Sequence, residues 1–361
     1  MRFLIATILS ISCLGANAQR NPVKKFPIRG LCISAPTPQN LDSFIVFMNQ
    51  ELRPRKINTI ILRIDYRYQF KSHPELIDTL ALSEEQVKKL VSAAKENRIR
   101  IIPQINLLGH QSWANKPGKL LAVYKDFDET PWLNMPLQYA WPNADSLYCK
   151  SYCPLHPEIH KILFDVIDEI CDAFETNAFH AGMDEVFILG DSKCARCAGK
   201  TKAELFAGEV NIIQQHLKEK NRELWIWGDR LLDGRTTGVG MWEGSLNDTW
   251  PAIDLISKSV VICDWHYDKA EKTAAYFVSK GFRTLTCPWN KPQVAKDEVE
   301  NLAAFRKNSD KKTRKLYLGI VETVWSSLSG FLNGYYTTTS ETNSTASTEN
   351  NAWNTFKAIY D

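Results

Sequence analysis

The sequence lacks an excess of charge of either sign. Its 44 Lys and Arg residues nearly balance 41 Asp and Glu residues, and the two signs are interspersed along the chain. A basic surface for nucleic acid or for an anionic membrane is therefore not indicated. The sequence also lacks an internal repeat, and it has no long apolar run after residue 18. No membrane-spanning helix is expected in that part of the chain.

The first residues have the pattern of a secretory signal peptide. Arg2 precedes an apolar run from Phe3 to Leu14, and the small-x-small pattern Ala16-Asn17-Ala18 follows. The run is too short for a spanning helix with stop-transfer flanks. We therefore expect residues 1–18 to be removed and residues 19–361 to be exported, to the periplasm or to the medium.

Short apolar runs alternate with helical patterns along the rest of the chain, which predicts a parallel sheet covered by helices. The apolar runs are 27–34, 57–65, 98–106, 176–184, 223–228, 259–264, 282–287 and 316–323. The helical patterns are 42–52, 83–97, 157–174, 202–221, 267–280, 294–308 and 352–360, while 229–257 is only weakly helical. Eight such strands predict an α/β fold, a single (β/α)₈ TIM barrel.

Two segments are longer than a minimal barrel needs. The segment 107–156 follows strand three and contains aromatic clusters and two cysteines. Loops of this length are usually functional or disordered, and this composition favours an ordered, functional loop. It should cover the C-terminal face of the barrel, where active sites lie in this fold. The segment 337–351 is rich in Ser, Thr and Asn and is predicted to be a mobile loop.

Two adjacent carboxylates, Asp184 and Glu185, lie where the fourth apolar run ends, in the segment His180-Ala-Gly-Met-Asp184-Glu185. Neighbouring strand residues point to opposite faces, so both acids can serve one pocket only if the chain turns here. Glycoside hydrolysis usually requires two carboxyl groups, one of them protonated. An isolated Asp-Glu pair is more often a solvated acidic loop, but the sequence context of this pair favours a catalytic role.

This segment resembles the His-x-Gly-Gly-Asp-Glu pattern of glycoside hydrolase family 20, the β-N-acetylhexosaminidases. Other segments resemble motifs of that family in the same order along the chain: Arg29-Gly30, Asn58–Asp65, Ile102–His110, Trp225–Asp229 and Val324-Trp325. Several motifs in the right order, with helices between them, are a stronger signal than any one of them.

The resemblance implies an exo-acting, retaining β-N-acetylhexosaminidase in which the 2-acetamido oxygen of the substrate is the nucleophile. Glu185 would be the general acid, and Asp184 would stay ionised and orient the acetamido group. His110 would bridge Glu185 and Asp65. The alternative for His110 is a buried histidine satisfied by the backbone.

The resemblance also implies the substrate contacts. Arg29 would hold sugar hydroxyls, Tyr267 would bond the acetamido carbonyl, and His180 is a further candidate. Aromatic side chains would line the sugar subsite: Trp227, Trp265 and Trp325. The substrate would be an oligosaccharide or glycoconjugate that ends in N-acetylhexosamine, and catalysis would need no cofactor.

The sequence departs from the family pattern at several positions. Met183 replaces the second glycine, and Gln104 and Asn106 replace carboxylates on strand three. Ser327 stands where the family has an acid that binds distal sugar hydroxyls, and Glu243 is a candidate substitute. The alternatives are a glycan-binding barrel with little or no turnover, or a hydrolase for a different β-glycoside.

The eight cysteines after residue 18 form two groups. Four lie in strand or helix patterns, where small buried hydrophobic residues are expected: Cys32, Cys171, Cys263 and Cys287. The others form two close pairs in loops after strands three and four: Cys149, Cys153, Cys194 and Cys197. Disulfides are the first expectation in an exported protein. A structural zinc site with four thiolates is the alternative, and free thiols are the third possibility.

Overall fold

Eight parallel strands close into the predicted barrel. The computed structural model describes residues 21–143, 147–340 and 349–361, so the predicted signal peptide lies outside the described residues. The strands are β1 (Ile28–Ser34), β2 (Thr59–Arg63), β3 (Arg100–Leu107), β4 (Ala178–Gly182), β5 (Glu223–Trp227), β6 (Val261–Asp264), β7 (Arg283–Thr286) and β8 (Tyr317–Thr323). Each strand pairs with its neighbour in the chain, and β8 pairs with β1 to close the barrel. The (β/α)₈ fold is therefore confirmed.

Helices follow the strands and cover the outside of the barrel. They are α1 (Leu41–Phe47), α2 (Glu84–Glu96), α3 (Ile159–Ala173), α4 (Lys202–Glu219), α5 (Thr273–Ser279), α6 (Pro292–Asn308), α7 (Leu328–Ser340) and α8 (Ala352–Tyr360). Ser83 and Thr201 each begin a helix with a capping box, in which side chain and backbone satisfy each other's donors. Among the described residues, no helix is long and apolar enough to cross a membrane.

Three sequence predictions of secondary structure need correction or refinement. Residues 337–340 belong to α7 rather than to a mobile loop, and 341–348 lie outside the described residues. Helix α5 begins at Thr273, since 267–272 form part of a loop. The weakly helical segment 229–257 contains only short helical turns, as its composition indicated.

Two apolar clusters stabilise this architecture. One fills the inside of the barrel and includes Cys32, Cys263 and Cys287, which confirms that these cysteines are buried. The other packs the outer faces of the strands against the helices and includes Cys171. A barrel interior filled in this way is a core rather than a pore, so ligands can bind only at its ends.

The segment 108–156, called the roof loop below, is held down by hydrogen bonds and a buried ion pair. Gln111 donates to the backbone carbonyls of Asn106 and Gly109. The buried Lys150 ammonium lies 2.9 Å from Asp128 Oδ2 and donates to Thr130 O. The backbone of Tyr152 donates to Leu108 O, which returns the loop to the end of β3. Its described part is ordered, as its composition predicted.

Candidate active site

The chain turns sharply after β4, and this turn brings the two acids together. Gly182, Met183 and Glu185 all have positive φ, at 66°, 67° and 49°. A Cβ on Gly182 would lie 2.1 Å from Asn106 Oδ1, so only glycine fits there without a shift. Left-handed backbone at non-glycine residues is strained and is concentrated at functional sites. This backbone geometry places the side chains of Asp184 and Glu185 on the same side of the turn.

His110 lies between the two carboxylates. Its Nε2 is 3.4 Å from Asp184 Oδ2 and 3.3 Å from Glu185 Oε2. His110 itself has a φ of 53° and follows β3, next to β4 in the barrel. Three of the four side chains predicted to be catalytic therefore meet at one point on the C-terminal face.

The opposite charges of His110 and Asp184 stabilise each other. Burial alone would lower the pKa of His110, but the Asp184 carboxylate, with Cys149 and Glu185, raises it well above its ordinary value. Burial alone would raise the pKa of Asp184, but the His110 cation lowers it. Asp184 is thus ionised at neutral pH. No donor among the described residues reaches its buried Oδ1 atom.

A buried ion pair lies below the acids. Asp229, just after β5, accepts a hydrogen bond of 2.9 Å from the backbone N–H of Glu185 and one of 2.6 Å from Arg230. Burial raises the pKa of Asp229 to about 6, against the effect of the Arg230 charge. Arg230 also donates to the carbonyl oxygens of Met241, Trp242 and Gly244. The pair therefore joins the catalytic turn to the loop 241–244.

Sequence reasoning missed Tyr148, which lies in the roof loop; burial raises the pKa of its hydroxyl, and the nearby Glu185 carboxylate adds to the increase. Its ring is at the centre of an aromatic cluster, with centroid distances of 5.0–5.9 Å to the other members. These members are His110, Trp113, Trp141, Phe187 and Trp242. The only available signal was the high aromatic content of the loop, which does not identify a single residue.

An aromatic wall lies across the barrel mouth from this cluster. The Trp325 indole N–H donates to the Tyr267 hydroxyl at 2.8 Å, and the Tyr267 ring lies 4.8 Å from that of Trp265. Trp325 is partly exposed, whereas Trp227 is fully buried beneath it. The structure therefore brings together the aromatic residues predicted from the sequence, with Trp325 and Tyr267 at the accessible edge.

The prediction that Arg29 binds sugar is wrong. Arg29 lies at the N-terminal end of β1, and its guanidinium donates to the carbonyls of Phe26 and Lys56, which precede β1 and β2. It therefore lies at the opposite end of the barrel from the acids. Arg63, at the C-terminal end of β2, lies instead beside the aromatic wall, with its guanidinium carbon 4.7 Å from the centre of the Trp325 ring.

The predicted bridge from His110 to Asp65 is also wrong. The Nδ1 atom of His110 lies 3.5 Å from Cys149 Sγ, and Nε2 faces Asp184 and Glu185. Asp65 Oδ1 instead accepts a hydrogen bond from the backbone N–H of Asn106. Asp65 therefore supports the end of β3, and the alternative of a backbone-satisfied His110 is wrong as well.

Glu243 is not free to replace the acid missing at Ser327. One of its oxygens pairs with His266 Nδ1 at 2.7 Å, and the other accepts from the backbone N–H of Tyr267 at 3.0 Å. Glu243 therefore holds the loop that carries Trp265 and Tyr267. Ser327 is exposed, and its hydroxyl accepts from the backbone N–H of Gly330 at the start of α7.

His180 is fully buried on β4 and does not line an accessible surface. Its Nδ1 accepts from the backbone N–H of Gly182 at 3.0 Å, and its ring lies 4.5 Å from that of Trp227. It supports the turn from inside the barrel, so the predicted substrate contact is not supported. Gln104 and Asn106, which replace carboxylates, hydrogen-bond to each other.

The four loop cysteines do not behave as one set. Cys153 Sγ lies 3.7 Å from Cys194 Sγ and 3.5 Å from Cys197 Sγ, which is too far for a disulfide bond. All eight described cysteines are free, so the disulfide prediction is not supported. Cys149 instead contacts His110, and Glu129 takes the fourth position beside the three thiols.

Comparison with known families gives a consistent result. The sequence pattern described as "Glycosyl hydrolase family 20, catalytic domain" matches residues 63–330, which is most of the chain. The match includes β3–β8, the catalytic turn and the roof loop.

Individual relatives are distant in sequence. The chain is 24% identical to a lacto-N-biosidase from Bifidobacterium bifidum, over 51% of this chain and 16% of that protein. It is 26% identical to a beta-hexosaminidase from Porphyromonas gingivalis, over 42% of this chain and 18% of that protein. The solved chitobiase of Flavobacterium johnsoniae superposes with a TM-score of 0.59 at 21% identity, over 83% of this chain and 44% of that one. The chain thus spans less than half of each of these proteins, and the superposition supports the fold alone.

Proposed function

Because the chain belongs to glycosyl hydrolase family 20, we propose that it removes terminal β-linked N-acetylhexosamine from an oligosaccharide or glycoconjugate. The proposed reaction is exo-acting and retains the anomeric configuration. The 2-acetamido oxygen of the substrate is the nucleophile, as in the substrate-assisted exceptions to the scheme of two carboxylates. The name of one relative, beta-hexosaminidase, is consistent with this substrate class.

The observation that carries the proposal is the shared position of the acids and His110 at the end of β4. Asp184 is ionised and has a buried oxygen without a donor among the described residues. Such an acceptor suits the acetamido N–H of a bound sugar. The hydrogen bond would orient the acetamido group, and the carboxylate would stabilise the positive charge that develops on it.

Glu185 has the second role in this proposal. It donates a proton to the leaving oxygen and then accepts one from the water that opens the oxazolinium intermediate. The imidazolium of His110 lies 3.3 Å from Glu185 Oε2, and Tyr148 is also near it. Trp325 and Tyr267 provide the flat surface on which the sugar ring packs.

A matched pair of substrates tests the proposal. We expect hydrolysis of aryl 2-acetamido-2-deoxy-β-glycosides and no comparable hydrolysis of the aryl β-glycosides with a 2-hydroxyl group. Glu185→Gln should lower turnover about 10²–10⁴-fold for poor leaving groups and less for activated ones. Equal activity on both sugars would contradict acetamido participation, and binding without turnover would identify a glycan-binding barrel instead.

The N-terminal pattern of residues 1–18 supports export, so we place the proposed enzyme in the periplasm or outside the cell.

A further inference from the structure

Three cysteines and one glutamate converge outside the candidate active site. Cys153 lies at the end of the roof loop, Cys194 and Cys197 lie in the loop after β4, and Glu129 lies within the roof loop. All four side chains are buried, and one ligand atom from each lies within 4.8 Å of the others. Two loops separate in sequence thus bring four potential metal ligands to one point.

The distances fit a tetrahedral metal site. Thiolates that bind zinc at about 2.3 Å lie about 3.8 Å apart at the corners of a tetrahedron. Here Cys153 Sγ is 3.5 Å from Cys197 Sγ and 3.7 Å from Cys194 Sγ, and Glu129 Oε2 is 3.2 Å from Cys197 Sγ. A disulfide would need about 2.05 Å and would leave one thiol and the carboxylate unpaired in the interior.

Backbone groups already hold Glu129 in place. Glu129 Oε1 accepts hydrogen bonds from the backbone N–H groups of Gly190 and Asp191, which leaves Oε2 directed at the thiols. Hydrogen bonds of this kind orient metal ligands and are characteristic of built metal sites.

Cys194 and Cys197 have the Cys-x₂-Cys spacing of structural zinc sites. The chain turns between them, with the backbone N–H groups of Cys197 and Ala198 both donating to Cys194 O. Lys193 and Arg196 in the same turn carry positive charge that offsets the negative charge of a site with three thiolates and one carboxylate.

We propose that Cys153, Cys194, Cys197 and Glu129 bind one structural Zn²⁺ ion. Soft thiolates in tetrahedral geometry favour zinc over magnesium or calcium, which prefer oxygen. The four ligands leave no open position, so the ion has a structural role. It would fasten the roof loop, which carries Tyr148, to the loop that continues from Glu185. This inference does not depend on the proposed hydrolase activity.

The ligand set differs from the four cysteines that the sequence suggested, and this difference can be tested. The purified full-length protein, produced with zinc and reductant, should contain about one zinc ion per chain by elemental analysis. Cys194→Ser and Glu129→Gln should lower that content strongly. Cys149→Ser and Cys171→Ser should keep it, because Cys149 contacts His110 and Cys171 lies in α3. Loss of zinc in Cys149→Ser would overturn this ligand set.

A measurement on the unaltered protein covers the case in which a variant fails to fold. Cobalt in place of zinc should give the sulfur-to-cobalt charge-transfer absorption of a thiolate site, and a strong chelator should lower Tm reversibly. Native protein without bound zinc or any cobalt signal would overturn the proposal. So would an intact mass, without reduction, that shows a disulfide among Cys153, Cys194 and Cys197.

Discussion

At the scale of single residues, Cys149 is the partner that orients His110. The two atoms, Sγ and Nδ1, are 3.5 Å apart, and the other ring nitrogen faces the carboxylates. Burial lowers the pKa of His110, the Asp184 carboxylate raises it, and the Cys149 contact adds to the increase. We therefore expect Cys149 to position His110 and, through it, Glu185 and Asp184.

Cys149→Ala should lower kcat by about two- to tenfold, the equivalent of a weak hydrogen bond worth about 0.5–1.5 kcal/mol. KM should change little. Because the imidazolium loses a partner that favours it, the alkaline limb of the pH–rate profile should move to lower pH. Steady-state kinetics on an aryl 2-acetamido glycoside between acidic and alkaline pH measures both effects.

Cys149→Ser is the matched control, since a hydroxyl can still bond His110, and it should restore most of kcat and the wild-type pH profile. An alanine variant with reduced stability but an unchanged pH profile would mean that Cys149 only fills space.

The residues of the site differ in how far sequence could predict them. Asp184, Glu185 and His110 follow strand ends, and parallel strands bring their C-terminal ends together in a barrel. Tyr148 and Cys149 lie in the roof loop, whose path depends on contacts such as the buried pair of Lys150 and Asp128 rather than on any periodicity. Sequence could indicate an ordered loop, but not which of its residues reaches the acids.

At the scale of elements, the turn after β4 depends on Gly182. Its φ is 66°, and a Cβ would lie 2.1 Å from Asn106 Oδ1 on the neighbouring strand. Gly182→Ala should therefore be destabilising by more than the roughly 1 kcal/mol expected for a left-handed alanine. It should also displace Asp184 and Glu185 and so reduce activity. Unfolding in denaturant and kcat/KM measure the two effects.

Gly281→Ala provides the control, because Gly281 has a φ of 90° but no atom within 4 Å of the added Cβ. Gly281→Ala should lose only the stability that an alanine with positive φ costs, and it should keep wild-type activity. Truncation of the clashing side chain, as Gly182→Ala with Asn106→Ala, should recover part of the lost stability. Equal losses in the two single alanine variants would show that the contact with Asn106 is unimportant.

Strand direction explains the main error at this scale. The apolar run 27–34 was identified correctly, and the structure begins β1 at Ile28. Arg29 is near the start of that run, so it lies at the N-terminal end, whereas ligands bind at the C-terminal end. A matching motif does not ensure a matching function when the residue lies at the wrong end of its strand. Arg63 ends β2 and therefore lies near the site.

At the scale of the whole molecule, the alternation of strand and helix patterns predicts the barrel. It does not predict which ionisable groups are buried. Glu298 on α6 is buried, and among the described residues neither of its carboxylate oxygens has a hydrogen-bond partner. Burial raises the pKa of Glu298 well above its ordinary value; the nearby His266 opposes the increase, while Asp264 and Glu243 add to it. Sequence alone shows an ordinary helical glutamate.

This buried acid should make the fold less stable as pH rises. Its raised pKa means that the folded state binds the proton more tightly than the unfolded state does. The resulting stabilisation is fully present below the unfolded pKa of about 4.3 and is lost as pH rises toward the folded pKa. Between these values the free energy of unfolding falls by about 1.4 kcal/mol per pH unit.

Glu298→Gln removes this dependence, so the variant should gain stability relative to the wild type with each unit of pH. Denaturant unfolding at pH values from about 4 to about 8 measures how the free energy of unfolding changes with pH. This interval begins near the pKa of a free carboxyl group and ends just above neutral pH. Glu300→Gln, an exposed position on the same helix, should run parallel to the wild type. If the stability of Glu298→Gln also ran parallel to that of the wild type across this pH range, Glu298 would be paired or solvated in solution. An unpaired amide in the variant cannot hide the effect, because it changes stability by the same amount at every pH.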